Sequence, residues 1–90
     1  MNRDYKKGVL FKKTKARREA LSRAEVYLFE SSAWSNSAEA MSRYAHNSES
    51  KGERAKFLDK ERMYRKKADS YFNAAKRYEK IGGRPVFNLQ

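Results

Sequence analysis

The chain has 90 residues, of which 39% are hydrophobic, which suffices for one small domain over residues 1–90 with a modest core. The absence of cysteine excludes disulfides and thiolate metal sites, and no apolar run approaches the length of a membrane span or a signal peptide. A net charge of +11 and a pI of about 10.1 are typical of nucleic-acid binders, and we expect a soluble cytoplasmic protein.

Residues 1–13 are predicted to form a basic arm. The first 18 residues hold eight Lys or Arg against one Asp, and Tyr5 and Phe11 alternate with these cations. Such a composition suits a segment that becomes ordered on nucleic acid, and it is also compatible with an anionic lipid surface. Because the arm contains few aromatic residues, nucleic acid is favoured over a membrane surface as its ligand. The candidate phosphate-binding residues in and after the arm are Lys12, Lys13, Lys15, Arg17 and Arg18.

Two long helices are predicted to follow, over residues 14–47 and 53–81. Both stretches lack Gly and Pro and are rich in good helix formers. Thr14 is the expected N-cap of the first helix, and Ser50 with Glu53 forms a capping box before the second. Gly82 is expected to take the left-handed conformation that ends the second helix, leaving residues 82–90 as a short extension.

A heptad pattern predicts how the helices pack. In each helix, seam residues recur every seven positions, and mostly small residues follow four positions later. The first set comprises Ala20, Tyr27, Trp34 and Met41, followed by Ala24, Ser31, Ala38 and Ala45. The second comprises Phe57, Tyr64, Tyr71 and Tyr78, with Glu61, Ala68 and Ala75. Because this alternation lets helices interlock, the sequence predicts an all-α antiparallel hairpin. Packing in the seam is the favoured role of the rings, and stacking on bases is the alternative.

The two ends leave several arrangements open. The runs "GVLF" (8–11) and "PVFNL" (85–89) are β-rich and could form a small two-stranded ribbon, cover the open end of the hairpin, or pair between subunits. A hairpin of two amphipathic helices leaves one side of its apolar seam exposed to solvent. A homodimer is therefore expected.

No residue set predicts catalysis. The single histidine, His46, lies at a helix end, and the chain has no Gly-rich phosphate loop or metalloprotease motif. Glu25, Glu30 and Glu39 are not spaced as a metal cluster. We therefore expect no enzymatic activity, no cofactor and no metal site, although a nuclease built from Lys, Arg and Glu stays open.

The second helix carries a cationic face opposite its aromatic residues. Residues 51–90 hold twelve basic and five acidic residues, so acids cannot balance this face. The candidate phosphate-binding residues here are Arg62, Lys66, Lys67, Lys76, Arg77 and Lys80. No known base-reading motif is present, so we expect sequence-tolerant binding to phosphates, with RNA favoured and DNA left open.

The profile of length, charge and helicity resembles two groups of proteins. One comprises small helical ribosome-associated proteins, and the other comprises small basic accessory proteins that bacteriophages use to bind host RNA and disable defence enzymes. Within the second group, the chain is similar in size and charge to T4-like phage inhibitors of an endoribonuclease toxin from a toxin–antitoxin system. The resemblance implies RNA binding coupled to trapping of a protein partner, in the cytoplasm of a host cell. The alternative is an interaction module that binds an acidic protein partner without nucleic acid.

Overall fold

The computed structural model describes residues 2–86, with side chains described from residue 13 onward. Helix α1 spans Asn2–Asn47 and helix α2 spans Lys51–Gly82. The two helices pack antiparallel over the length of α2 and form a rod with extents of 75 × 20 × 12 Å. The predicted all-α hairpin is confirmed, and residues 2–86 contain no strand.

The start of the first helix differs from the prediction. Helix α1 begins at Asn2, so Thr14 lies inside it and most of the predicted arm is helical. Once a helix exists, each added residue gains a hydrogen bond, and the Lys and Leu residues here are good helix formers. The run 8–11 is therefore helical and forms no ribbon strand, while residues 87–89 of its suggested partner lie outside the described part.

Helix α2 has the predicted N-cap, but it begins at Lys51 rather than at residue 53, and its left-handed residue is shifted by one position. Ser50 is the N-cap, and its Oγ accepts a hydrogen bond from the Glu53 N–H at 3.4 Å. The left-handed residue is Gly83 (φ 81°) rather than Gly82, and its N–H donates to the carbonyls of Glu79 and Lys80. Gly82 instead stays in the helix, where a Cβ would lie 2.5 Å from Leu21 Cδ2.

Small side chains form the contact between the helices. The Ser31 Oγ donates a 2.8 Å hydrogen bond to the Ala68 carbonyl across the seam, and Leu28 is the largest side chain in the core, 7% exposed. The buried small residues are Ala20, Ala24, Ser31, Ala38, Ala45, Ala68 and Ala75. Because these residues let the helices approach closely, the larger seam residues are displaced to the two edges of the contact, where they are half-buried.

Candidate nucleic-acid interface

Helix α1 projects beyond the end of α2. Gly82 lies against Leu21 and the backbone of Arg17, so the residues before Arg17 continue past α2 for roughly 20 Å. Lys13 and Arg17 occupy the positions seven residues before Ala20 and Ala24. At the point where α2 ends, the seam positions of α1 are therefore occupied by cations instead of small residues.

Cations from both helices meet at this open end. We define the basic end as residues 13–18 of α1 together with residues 76–84, which comprise the end of α2 and the two residues that follow it. It holds eight Lys or Arg against one acid, Glu79, which gives a net charge of +7. The turn end, residues 43–59, holds four basic and three acidic residues. The exposed cations of the basic end are Lys13, Lys15, Arg17, Arg18, Lys76, Arg77, Lys80 and Arg84.

The single acid of the basic end is mostly buried. The Glu79 side chain is 9% exposed, and its Oε2 accepts a hydrogen bond from Lys76 Nζ at 3.3 Å. Its Oε1 is buried with no hydrogen-bond partner. The same lysine lies 5.1 Å from the centroid of the Phe72 ring. Glu79 therefore holds Lys76 in place and leaves the other cations of the basic end uncompensated.

An open cavity of about 440 Å³ adjoins this acid. It is lined by Lys76, Glu79, Lys80, Gly83, Arg84 and Pro85. Three of these six residues are cations, so the cavity presents positive charge around a single carboxylate.

The remaining predicted phosphate contacts divide between two places. Arg62 and Lys66 are exposed on the outer face of α2, midway along the rod. Arg62 lies 3.9 Å from Asp59, a distance and exposure at which an ion pair contributes little. Lys67 lies elsewhere, with its Nζ 4.3 Å from the centroid of the Trp34 ring. Lys12 belongs to α1, and its side chain lies outside the described part.

Aromatic rings from both helices line one edge of the helix contact. Tyr27 stacks with Tyr71 and Tyr78 at centroid distances of 5.9 and 5.5 Å, and Trp34 lies 5.2 Å from Tyr64. A third group joins Tyr44 to Phe57 at 5.6 Å. We call this set the aromatic ladder: Tyr27, Trp34, Tyr44, Phe57, Tyr64, Tyr71 and Tyr78. The ladder rings that were predicted to pack in the seam each contact another ring of the ladder and are half-buried, while Tyr44, which was not predicted, is 54% exposed.

Arg23 joins the ladder although the sequence analysis did not select it. Its Nη1 donates to the Tyr78 hydroxyl at 3.5 Å, and its guanidinium carbon lies 5.7 Å from the ring centroid. The hydrogen bond to Tyr78 raises the pKa of Arg23 above its already high ordinary value. The sequence contained a signal for this contact, because Arg23 lies four residues before the seam residue Tyr27 and therefore on the same face of α1.

The opposite edge of the contact consists of three leucines and one phenylalanine, and only some of these residues are exposed. Leu21 and Leu28 of α1 lie there with Leu58 and Phe72 of α2, which are 37% and 43% exposed. We call these four residues the leucine edge. It contains fewer rings than the ladder, so the two edges of the rod differ in chemistry.

Within residues 13–86, no group of three or more His, Asp or Glu could hold a metal ion. In the same part of the chain, neither helix is long and apolar enough to cross a membrane. Comparisons with family models, with curated proteins and with solved structures found no match for this chain.

Proposed function

We propose that the protein is a non-enzymatic, largely sequence-tolerant RNA-binding protein that acts in the cytoplasm. The observation that carries the proposal is the basic end, which holds eight exposed cations and one acid, Glu79, that is already paired with Lys76. Clustered Lys and Arg side chains bind phosphates and release counterions, and contacts of this kind carry no base information. The outer-face residues Arg62 and Lys66 extend the surface along α2.

The salt dependence of RNA affinity tests this proposal. If about six phosphates of a single strand are neutralised, the slope of log affinity against log salt concentration is near −4. The measurement is fluorescence anisotropy of a labelled mixed-sequence RNA across a salt series. A slope near zero, or no binding at low salt, contradicts RNA binding. DNA of the same sequence, measured in parallel, gives the preference between the two nucleic acids.

A second candidate function is the trapping of a protein partner, such as a ribonuclease toxin. It is supported by Val26 and Phe29, which lie on the outer side of α1 and are 59% and 74% exposed. These residues belong to a stretch, 19–50, with two basic and five acidic residues, so this surface differs in charge from the basic end. Purification before and after ribonuclease treatment separates the candidates. A stoichiometric protein that survives the treatment supports direct trapping, and loss of all bound material supports RNA binding alone.

We also propose that the chain forms a homodimer. No large side chain of the described hairpin is fully buried, and a core built of Ala and Ser contributes little apolar burial. The leucine edge leaves Leu58 and Phe72 partly in solvent, and a second copy would cover them. A two-fold dimer would also present two basic ends to one RNA.

A further inference from the structure

We infer that the aromatic ladder is a stacking surface for unpaired bases, so that the preferred ligand is a single strand. The inference rests on the proposed RNA binding and names the class of RNA. The ladder extends from Phe57 to Tyr78, which is roughly 32 Å along α2, with successive levels about 10 Å apart. Its rings are half-buried, except for Tyr44, which is 54% exposed.

The cations over Trp34 and Tyr78 show that one face of each of these two rings can be reached from solvent. Lys67 is an exposed residue, and its Nζ lies 4.3 Å from the Trp34 centroid. The exposed Arg23 lies over Tyr78 in the same way. Stacking of a base on an aromatic ring contributes more binding free energy than an exposed cation over the same ring. A base therefore displaces Lys67 from the Trp34 indole. The displaced ammonium then remains beside the strand and can bind its phosphate.

Charge along the ladder favours a strand over a protein or a second copy. The rows that border the ladder carry Arg23 on α1 and Lys60 and Lys67 on α2. Between the levels of Phe57 and Tyr78, where every residue is described, the one acid in these rows is Glu30. The ladder also continues into the basic end at Tyr78, next to Arg77. A strand whose phosphates are bound at the basic end can therefore extend along the rings of the ladder.

The single tryptophan makes the site observable. Trp34 lies at the centre of the ladder, so a base stacked on it should quench its fluorescence. The experiment titrates the full-length protein with oligo(U) of about 12 nucleotides and with an RNA duplex of equal length. Anisotropy of labelled RNA reports binding in parallel. We expect both RNAs to bind and only the single strand to quench Trp34.

The other outcomes separate the two proposals. Binding of oligo(U) without quenching overturns the stacking surface and leaves phosphate binding at the basic end intact. Absence of binding overturns both. Fluorescence that changes with protein concentration in the absence of RNA, together with a rise in mass, assigns the ladder to an interface between copies and overturns the inference.

Two aromatic residues on different faces of the rod provide matched variants. Tyr71→Leu removes a ladder ring, and Phe29→Leu removes a ring that is 74% exposed on the outer side of α1, away from both edges. We expect Tyr71→Leu to weaken oligo(U) binding about tenfold and to leave duplex binding unchanged, with Phe29→Leu close to wild type. Equal effects of the two variants overturn the inference. If circular dichroism shows that Tyr71→Leu is unfolded, the more exposed Tyr44→Leu is measured instead, with the same expectation for a strand long enough to reach it.

Discussion

Gly82 shows how one missing side chain sets the distance between the two helices. A Cβ at this position would lie 2.5 Å from Leu21 Cδ2 and 3.4 Å from the Arg17 carbonyl oxygen. The first distance is shorter than atoms can tolerate, so an alanine would force the helices apart or move Leu21. Glycine at 82 therefore serves close packing, and the left-handed conformation falls to Gly83, where there is open space.

We predict that Gly82→Ala lowers the free energy of unfolding by about 1–3 kcal/mol through overpacking. The matched control is Gly52→Ala in the first turn of α2. A Cβ there meets Ser50 Oγ at 3.7 Å, an ordinary contact, so we expect a gain of up to about 0.5 kcal/mol from reduced backbone entropy. Urea unfolding followed by circular dichroism measures both. Equal stabilities of the two variants would contradict the close approach at Gly82.

The cations on the ladder illustrate a competition between single residues. An exposed cation over a ring contributes about 0.5–1 kcal/mol, whereas a base stacked on an aromatic side chain contributes about 1–3 kcal/mol. Lys67 over Trp34 is therefore a contact that a strand can replace. Lys76 differs, because the Glu79 carboxylate holds it at 3.3 Å in addition to its contact with Phe72.

At the scale of the helices, the heptad of small residues determines the packing. Ala24, Ala38 and Ala75 are fully buried at the contact, with 0% exposure, and the larger residues lie on either side of them. A core of this kind relies on close approach more than on burial of large side chains. It should therefore tolerate enlargement poorly.

We predict that Ala38→Leu destabilises the hairpin by about 1–3 kcal/mol, because its extra atoms have no space between the helices. Ala33→Leu is the control, since Ala33 is exposed on the same helix and leucine is a good helix former. The control should stay within about 0.5 kcal/mol of wild type. Thermal unfolding monitored by circular dichroism gives both values, and a harmless Ala38→Leu would refute the seam.

The heptad spacing was sufficient to predict the hairpin and the pairing of its faces, and the capping-box motif predicted the Ser50 cap. It was not sufficient for the start of α1, because charge suggested an arm at residues 1–13 while local helix propensity favours continuation from Asn2. It also could not distinguish Gly82 from Gly83 as the left-handed residue, since that depends on where Leu21 lies. The position of Lys67 over Trp34 depends on a rotamer, which spacing does not determine.

At the scale of the whole molecule, the rod has two different edges and two different ends. The aromatic ladder lies on one edge and the leucine edge on the other, while the basic end and the turn end differ in net charge. We assign the charged end and the ladder to RNA and the leucine edge to a second copy. The basic end and the leucine edge adjoin where Lys76 lies over Phe72, whereas the ladder lies on the other edge of the rod.

We predict a dimer by sedimentation equilibrium in the absence of RNA. Phe72→Glu should shift the protein toward monomer, because a charge at the centre of the leucine edge would be desolvated in the dimer. Met63→Glu is the control, since Met63 is 50% exposed on the outer face of α2. A monomeric wild type, or dissociation by Met63→Glu alone, would reject this interface.

The central claim is that the basic end, rather than net charge in general, binds phosphate. Two triple variants with equal loss of charge test this claim. In the first, Arg77, Lys80 and Arg84 of the basic end are all replaced by Gln, and in the second, Arg43, Lys51 and Lys56 of the turn end are all replaced by Gln. We expect the salt slope for single-stranded RNA to change from about −4 to about −2 in the first variant and to stay near −4 in the second. Equal reduction in both variants, or no reduction in the first, would contradict the account.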